Sequence, residues 1–212
     1  MLPSLTFFLA ALVLALTPGP GIAYVVARTA AGGRAEGLAS CVGTGLGGLV
    51  HVCAAALGLS LLLSQSAAAF ALVKYVGAAY LVYLGIRLLM SGSRTAPGRV
   101  AAGGVRRALV EGVLVEALNV KTALFFLAFL PQFLVSGSSA VWQLVAMGMV
   151  CVALNTLVDV GAVLGAAKLL ASELSARRRA QVLKKTSGIT LVGLGLYVAV
   201  SRQASTTMAI PP

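Results

Sequence analysis

Long apolar runs separated by short basic stretches constrain this chain more than any other feature of its sequence. Six runs cover roughly residues 4–27, 38–63, 70–90, 108–130, 141–167 and 186–201. Most reach the length of about 20 residues with which a helix crosses the hydrocarbon core of a bilayer. Only 10% of the residues are charged, against about 25% in a soluble domain. The sequence therefore predicts an all-α polytopic membrane protein with six transmembrane helices.

The basic residues indicate how these helices cross the membrane. Six crossings place thirteen of the sixteen Lys and Arg residues on one side, in predicted loops at 28–37, 91–107 and 168–185 or at their edges. Lys74 and Arg202 fall on the other side, and Lys121 lies inside the fourth run. Because basic loops stay in the cytoplasm, we expect both termini in the periplasm. The net charge of +11 then suits anionic lipid headgroups and does not indicate nucleic-acid binding.

A polar linker at 91–107 divides the chain into two parts with three predicted helices each. We expect one transmembrane domain, 1–212, with repeat one at about 1–90, repeat two at about 108–202, and a disordered tail at 203–212. Since three is an odd number, two such repeats run through the membrane in opposite directions. Interrupted helices at matching places in inverted repeats are typical of the central site of a transporter.

The first run carries such an interruption in its middle. Two prolines, which lack a backbone donor and clash with the preceding turn, alternate here with two glycines, which tolerate unusual dihedral angles. The segment reads Thr17, Pro18, Gly19, Pro20, Gly21. We expect a local break of the helix whose free backbone groups bind a substrate; the alternative is a kink that only shapes packing.

The fourth run carries two ionisable residues, Glu116 and Lys121, on either side of Asn119. A charged side chain at the centre of a membrane costs about 2.5–3.5 kcal/mol on insertion scales. We therefore expect two such residues in one span to have a function. Glu116 and Asn119 share a face, whereas Lys121 points elsewhere on a regular helix. We expect a substrate site with an irregular backbone; the alternative is a Glu116–Lys121 pair that only neutralises itself.

Two further runs carry polar residues that suit proton or substrate binding. Asp159 lies in the fifth run, one turn after Asn155, and is expected either to pair with Lys121 or to carry a proton. His51, the single histidine, shares a face with Gly43 and Gly47, which predicts close helix packing. It is a candidate for proton exchange or, alternatively, a packing residue. No metal-ligand spacing, catalytic motif or cofactor motif is found.

These residues together resemble the lysine exporter and homoserine/threonine exporter (LysE/RhtB) superfamily of bacterial amino-acid efflux proteins. The similarity covers nearly the whole chain: the proline-glycine break, the glycine-rich second helix with its histidine, the third helix from Lys74 to Gly85, the Phe-rich stretch after Lys121, the fifth-helix acid Asp159, and a last helix with Gly188, Gly193 and Gly195. The resemblance implies amino-acid efflux across the bacterial inner membrane, coupled to the proton gradient, without enzymatic activity.

Two positions depart from the family pattern. Val120 stands where the family has proline in an Asn-Pro-Lys motif, so we expect a less broken fourth helix. Glu116 stands where a neutral polar residue is usual, which bears on the charge of the substrate.

From the residue chemistry, the backbone at Thr17–Gly21 and Lys121 suit a carboxylate, and Glu116, Asn155 and Asp159 suit an ammonium group. Asp159, Glu116 or His51 then takes up the coupling proton.

Two other classes of protein share parts of this pattern. A membrane thiol carrier with the same inverted plan needs facing cysteines, for which Cys41 or Cys53 with Cys151 is the available choice. A non-transporting scaffold has no use for two buried acids and a lysine at mid-membrane. A homodimer through faces of small residues is a further expectation.

Overall fold

The computed structural model describes residues 4–59, 67–90, 102–135, 139–169, 185, 188–189 and 191–200. Throughout these residues the regular structure is helical, which confirms the all-α prediction. The α-helices are α1 (Leu5–Leu16), α2 (Pro20–Ala54), α3 (Ala67–Met90), α4 (Val105–Ala117), α5 (Val120–Ala128), α6 (Ala140–Leu169) and α7 (Leu191–Val200). A π-helical turn, Ala55–Leu59, follows α2, and a 3₁₀ turn, Leu130–Phe133, follows α5. The predicted tail at 203–212 and most of the linker lie outside the described residues.

Helix α2 is a hairpin of two antiparallel arms that meet at Gly33. This residue has φ 77° and ψ −170°, a conformation that is essentially restricted to glycine. A straight helix would separate residues 21 and 44 by about 35 Å, yet a Cβ on Gly21 would lie 3.9 Å from the Thr44 side chain. The predicted loop at 28–37 is therefore too long. The chain reverses at one residue, and helix continues on both sides.

Five stretches of the described chain are relevant to membrane crossing. By length and composition, Pro20–Gly58 and Ala140–Gly165 are long and apolar enough to span a bilayer, although the reversal at Gly33 divides the first of them into two arms. Helix α4 with Val120–Phe133 forms a third candidate that is bent by 44°. Helices α1 and α7 are shorter apolar helices. Lys74, assigned from sequence to the periplasmic side, is buried within α3, with 2% of its surface exposed.

Backbone-to-backbone contact holds the second arm of α2 against α4. A Cβ on Gly47 would lie 2.5 Å from the Val113 carbonyl oxygen, and a Cβ on Gly43 would overlap that of Leu109. In the opposite direction, a Cβ on Gly112 would lie 2.8 Å from the Ser40 carbonyl oxygen. The close approach predicted for Gly43 and Gly47 is confirmed, and it fixes the polar residues of both helices side by side.

Aromatic side chains fill the core beside this contact. Phe125 and Phe129 stack with ring centroids 4.7 Å apart, and Phe126 lies 6.0 Å from the His51 ring. All three phenylalanines are buried. The Phe-rich stretch after Lys121 therefore anchors α5 in the bundle and sets the position of the polar residues at its start.

Candidate functional site

The first helix break lies at Thr17–Gly19, between α1 and α2. Helix α1 ends at Leu16, Thr17 and Gly19 have extended backbone angles, and Pro20 begins α2 at a position that tolerates a missing N–H. The Thr17 hydroxyl donates to the Val13 carbonyl oxygen at 2.6 Å. The predicted break is confirmed, and it exposes the last carbonyl groups of α1 to partners from other helices.

The second break lies between α4 and α5. Helix α4 ends at Ala117, and Asn119 caps α5 by accepting a hydrogen bond from the Lys121 backbone N–H at 3.1 Å. The helix is therefore broken here although Val120 stands in place of proline. An asparagine cap supplies the interruption, because its side chain replaces a backbone partner at the helix start.

Lys121 joins the two breaks. Its Nζ donates to the Thr17 carbonyl oxygen at 2.8 Å and to the Leu14 carbonyl oxygen at 3.3 Å. Gly19 lies beside the lysine, where a Cβ would come within 3.1 Å of Nζ. The two breaks therefore lie side by side, with an ammonium group at the point where they meet.

Glu116 is held by neutral donors. Asn119 Nδ2 donates to its Oε2 at 2.9 Å, and the Thr122 hydroxyl donates to its Oε1 at 2.6 Å. Within the described part of the chain, no salt bridge joins Glu116 to Lys121. The alternative of a self-neutralising pair is thus not what the structure contains. The two opposite charges sit near each other with separate partners.

Asp159 reaches the same region from α6. The Thr44 hydroxyl, on the second arm of α2, donates to its Oδ2 at 2.9 Å. Both side chains are buried. Thr44 was not singled out from the sequence, although it lies seven residues before His51 and therefore on the same helical face.

His51 contacts the second break through its ring. Its Nε2 lies 2.8 Å from the Glu116 carbonyl oxygen. Since a carbonyl oxygen only accepts, this contact requires the proton on Nε2. The histidine thus bonds a carbonyl group at the end of α4, close to where the helix stops.

Two narrow cavities border these residues, each with room for about one water molecule. Glu116, Asn155 and Asp159 line both of them. The second cavity also reaches Thr17, Gly21, Asn119 and Lys121. The Asn155 side chain makes no hydrogen bond to another described residue. Of the predicted site residues, Pro18, Gly19, Pro20 and His51 border neither cavity.

A second charged cluster lies near the turn of α2, and sequence reasoning missed it. Arg28 has no exposed surface, although it was expected in a cytoplasmic loop. Its guanidinium donates to Glu36 Oε2 at 3.2 Å and to Glu111 Oε2 at 2.5 Å, and its Nε donates to the Tyr24 hydroxyl at 3.0 Å. The chain reversal at Gly33 is what brings Arg28 and Glu36 together.

This cluster links the α2 hairpin to the beginning of α4. Glu36 accepts hydrogen bonds from the backbone N–H groups of Gly103 at 3.1 Å and Gly104 at 2.8 Å. Glu111 also pairs with Arg107 at 2.6 Å. An opposite-charge pair flanking two adjacent glycines, as Arg28 and Glu36 flank Gly32 and Gly33, is a sequence signal from which the cluster could have been found.

Of the three cysteines, Cys151 borders the first cavity beside Glu116 and Asp159. Cys41 packs with Val25 and Val163, Cys151 belongs to the main hydrophobic core, and Cys53 is exposed. All three are free thiols.

Known proteins similar to this chain include uncharacterized membrane proteins and efflux proteins. A family model described as LysE type translocator matches residues 12–202. An uncharacterized membrane protein of Vibrio cholerae is 29% identical over 93% of this chain and 97% of its own. A homoserine/homoserine lactone efflux protein of Salmonella typhimurium is 27% identical, with 93% and 96% covered.

A leucine efflux protein of Salmonella choleraesuis is 30% identical over 61% of this chain and 62% of its own. No solved structure matches the chain significantly.

Proposed function

Because the chain belongs to the LysE type translocator family, we propose that it exports amino acids or close derivatives from cytoplasm to periplasm in exchange for protons. The observation that carries the proposal is Lys121, a buried ammonium group that bridges two broken helices beside two buried carboxylates. An α-amino acid presents the complementary pair of charges. The relatives of this chain that are named as homoserine/homoserine lactone and leucine efflux proteins support this class of substrate.

The carboxylate of the substrate is proposed to bind at the start of α2 and Lys121. The first N–H groups of a helix have no partner within it and carry a partial positive charge. Gly21 and Ile22 belong to this first turn and border the second cavity together with Lys121. One of the three ammonium hydrogens of Lys121 remains free when two donate to the carbonyl oxygens of Thr17 and Leu14.

The ammonium group of the substrate is proposed to bind between Asn155 and the two acids. The Asn155 side chain is free of protein hydrogen bonds within the described residues and borders both cavities. Asp159 accepts one hydrogen bond, at Oδ2, so Oδ1 remains available to a ligand. Glu116 already accepts two hydrogen bonds and contributes mainly through its charge.

Asp159 is the proposed coupling group, with Glu116 as the second candidate. A carboxylate that binds the substrate ammonium group when ionised and releases it when protonated couples the efflux of substrate to the uptake of protons. His51 was also predicted to exchange protons. Its bond to the Glu116 carbonyl oxygen favours the alternative that it holds the end of α4 in place.

The packed conformation corresponds to an occluded state in this proposal. Each cavity has room for about one water molecule, so an amino acid enters only when the helices separate. We propose six spans in two inverted three-helix repeats, of which α1 with the first arm of α2 forms the first. The basic bias supports a topology with both termini in the periplasm and the α2 turn at the cytoplasmic face.

Counterflow in proteoliposomes tests the proposed function. Vesicles that contain the purified protein are loaded with one unlabelled amino acid, and uptake of a labelled one is measured across a panel that includes homoserine, homoserine lactone and leucine. We expect accelerated exchange for at least one amino acid and stimulation of net efflux by an inward proton gradient. Exchange no faster than in protein-free vesicles for the whole panel would contradict amino-acid export.

A further inference from the structure

The Thr44 hydroxyl lies between two acceptors. Its oxygen is 2.9 Å from Asp159 Oδ2 and 3.0 Å from the carbonyl oxygen of Cys41 in its own helix. Only 4% of the residue is exposed. A hydroxyl group has a single hydrogen to donate but also accepts. Thr44 can therefore donate to only one of the two acceptors at a time. Which one it bonds depends on whether Asp159 carries a proton.

Protonation of Asp159 decides that choice. An ionised carboxylate only accepts, so Thr44 donates to Oδ2. When Oδ2 carries a proton, the carboxyl O–H donates to the Thr44 oxygen, and the threonine hydrogen turns to the Cys41 carbonyl oxygen. Rotation of the Thr44 hydroxyl group thus keeps Asp159 hydrogen-bonded in both protonation states.

We infer that Thr44 is the positioning residue for proton exchange at Asp159, a role that rests on the proposed function. The other charged groups that share the cavity with Asp159 are Glu116 of α4 and Lys121 of α5. The neutral Ala15 comes from α1, Thr17 from the first break and Asn155 from α6, and the Cys151 thiol of α6 borders the other cavity. Among the described residues, Thr44 is the one that bonds the carboxyl group directly, so its hydroxyl group influences the protonation equilibrium of Asp159 through a direct hydrogen bond.

Thr122 shows why a second acceptor matters. Its hydroxyl also donates to a buried carboxylate, Glu116, at 2.6 Å. Among the described hydrogen bonds, it has no carbonyl acceptor to which its hydrogen can turn. A proton on Glu116 Oε1 would leave the threonine hydrogen without that alternative. The arrangement at Thr44 therefore suits a carboxyl group that changes its protonation state, and the arrangement at Thr122 suits one that keeps it.

Valine at position 44 keeps the shape of the side chain and removes the hydroxyl. A hydrogen bond to an ionised acceptor is roughly twice as strong as one between neutral groups. T44V therefore loses more stabilisation of the carboxylate than of the protonated acid. We expect the pH midpoint of proton-driven efflux to move upward by about 0.5–1 unit, whereas T44S, which retains the hydroxyl, keeps the wild-type midpoint.

Thr29 provides a matched control on the first arm of α2. It is also buried, and its hydroxyl donates to the Val25 carbonyl oxygen at 2.7 Å without contacting a carboxylate. T29V removes the same chemical group from the same kind of environment. We expect its pH profile to coincide with that of the wild type.

The experiment measures proton-driven efflux against pH, together with counterflow, for wild type, T44V, T44S and T29V in proteoliposomes. A T44V profile that superimposes on the wild type would overturn the inference, and so would an equal shift in T29V. Should T44V not fold, T44A removes the same hydroxyl; if neither folds while T44S does, Thr44 is structural and the inference fails. Wild-type exchange without any pH dependence would instead refute the proposed proton coupling.

Discussion

Replacing Arg28 with alanine removes a buried cation that bonds two carboxylates at once. The side chain has no exposed surface. It reaches Glu36 at 3.2 Å and Glu111 at 2.5 Å. In the variant, both acids stay close to each other without the guanidinium between them. We expect the helices near the α2 turn to lose stability, since a buried charge without a partner is strongly unfavourable.

The loss of stability in R28A depends on the hydrogen-bond partners that Glu36 and Glu111 retain. Breaking a fully buried pair by removing one partner costs about 3–5 kcal/mol. Here Glu36 keeps the N–H groups of Gly103 and Gly104, and Glu111, 32% exposed in its side chain, keeps Arg107. The free energy of unfolding should therefore fall by about 2–3 kcal/mol, somewhat less than for a fully buried pair.

Equilibrium unfolding of the purified protein in detergent measures this difference. Arg34, which is exposed on the other side of the same turn, is the matched control, and R34A should change the free energy by less than about 0.5 kcal/mol. R107A removes the exposed pair with Glu111 and should cost at most about 1 kcal/mol. If R28A were as stable as R34A, the cluster would not hold the α2 turn against α4.

Further predictions concern the α2 turn, the substrate site and the topology. Gly33→Ala places a side chain at φ 77° and should lower the free energy of unfolding by about 1–3 kcal/mol; Gly161→Ala, where a Cβ meets no atom within 4 Å, is its control. Glu116→Gln should change the apparent affinity for substrate in counterflow while the protein still folds. A reporter fused after the last residue should be active in the periplasm; activity in the cytoplasm would rule out six spans.

Much of the local structure could be predicted because it depends on residues close in sequence. The apolar runs correspond to helices, and the interruptions at Thr17–Gly21 and Asn119–Lys121 follow from prolines, glycines and polar residues inside an apolar environment. The break before Val120 forms without proline, because Asn119 caps the start of α5.

The residues that were missed depend on contacts distant in sequence. Thr44 acquires its role from a residue 115 positions away. Arg28 looked like a loop residue because the reversal at Gly33 takes a single residue, whereas a composition change suggested a longer loop. Hydropathy places a residue on a helix, but it does not say which helix lies opposite.

The central claim, proton-coupled export through the cluster around Asp159, is tested most directly by Asp159→Asn in proteoliposomes. Asparagine keeps the size of the side chain and the hydrogen bond with Thr44 but cannot exchange a proton at that position. Proton-driven uphill efflux and substrate counterflow are measured on the same preparation. We expect normal folding and insertion, counterflow that persists, and loss of the uphill efflux driven by the pH gradient. If D159N retains full pH-gradient-driven efflux, Asp159 is a structural residue and the coupling mechanism is wrong.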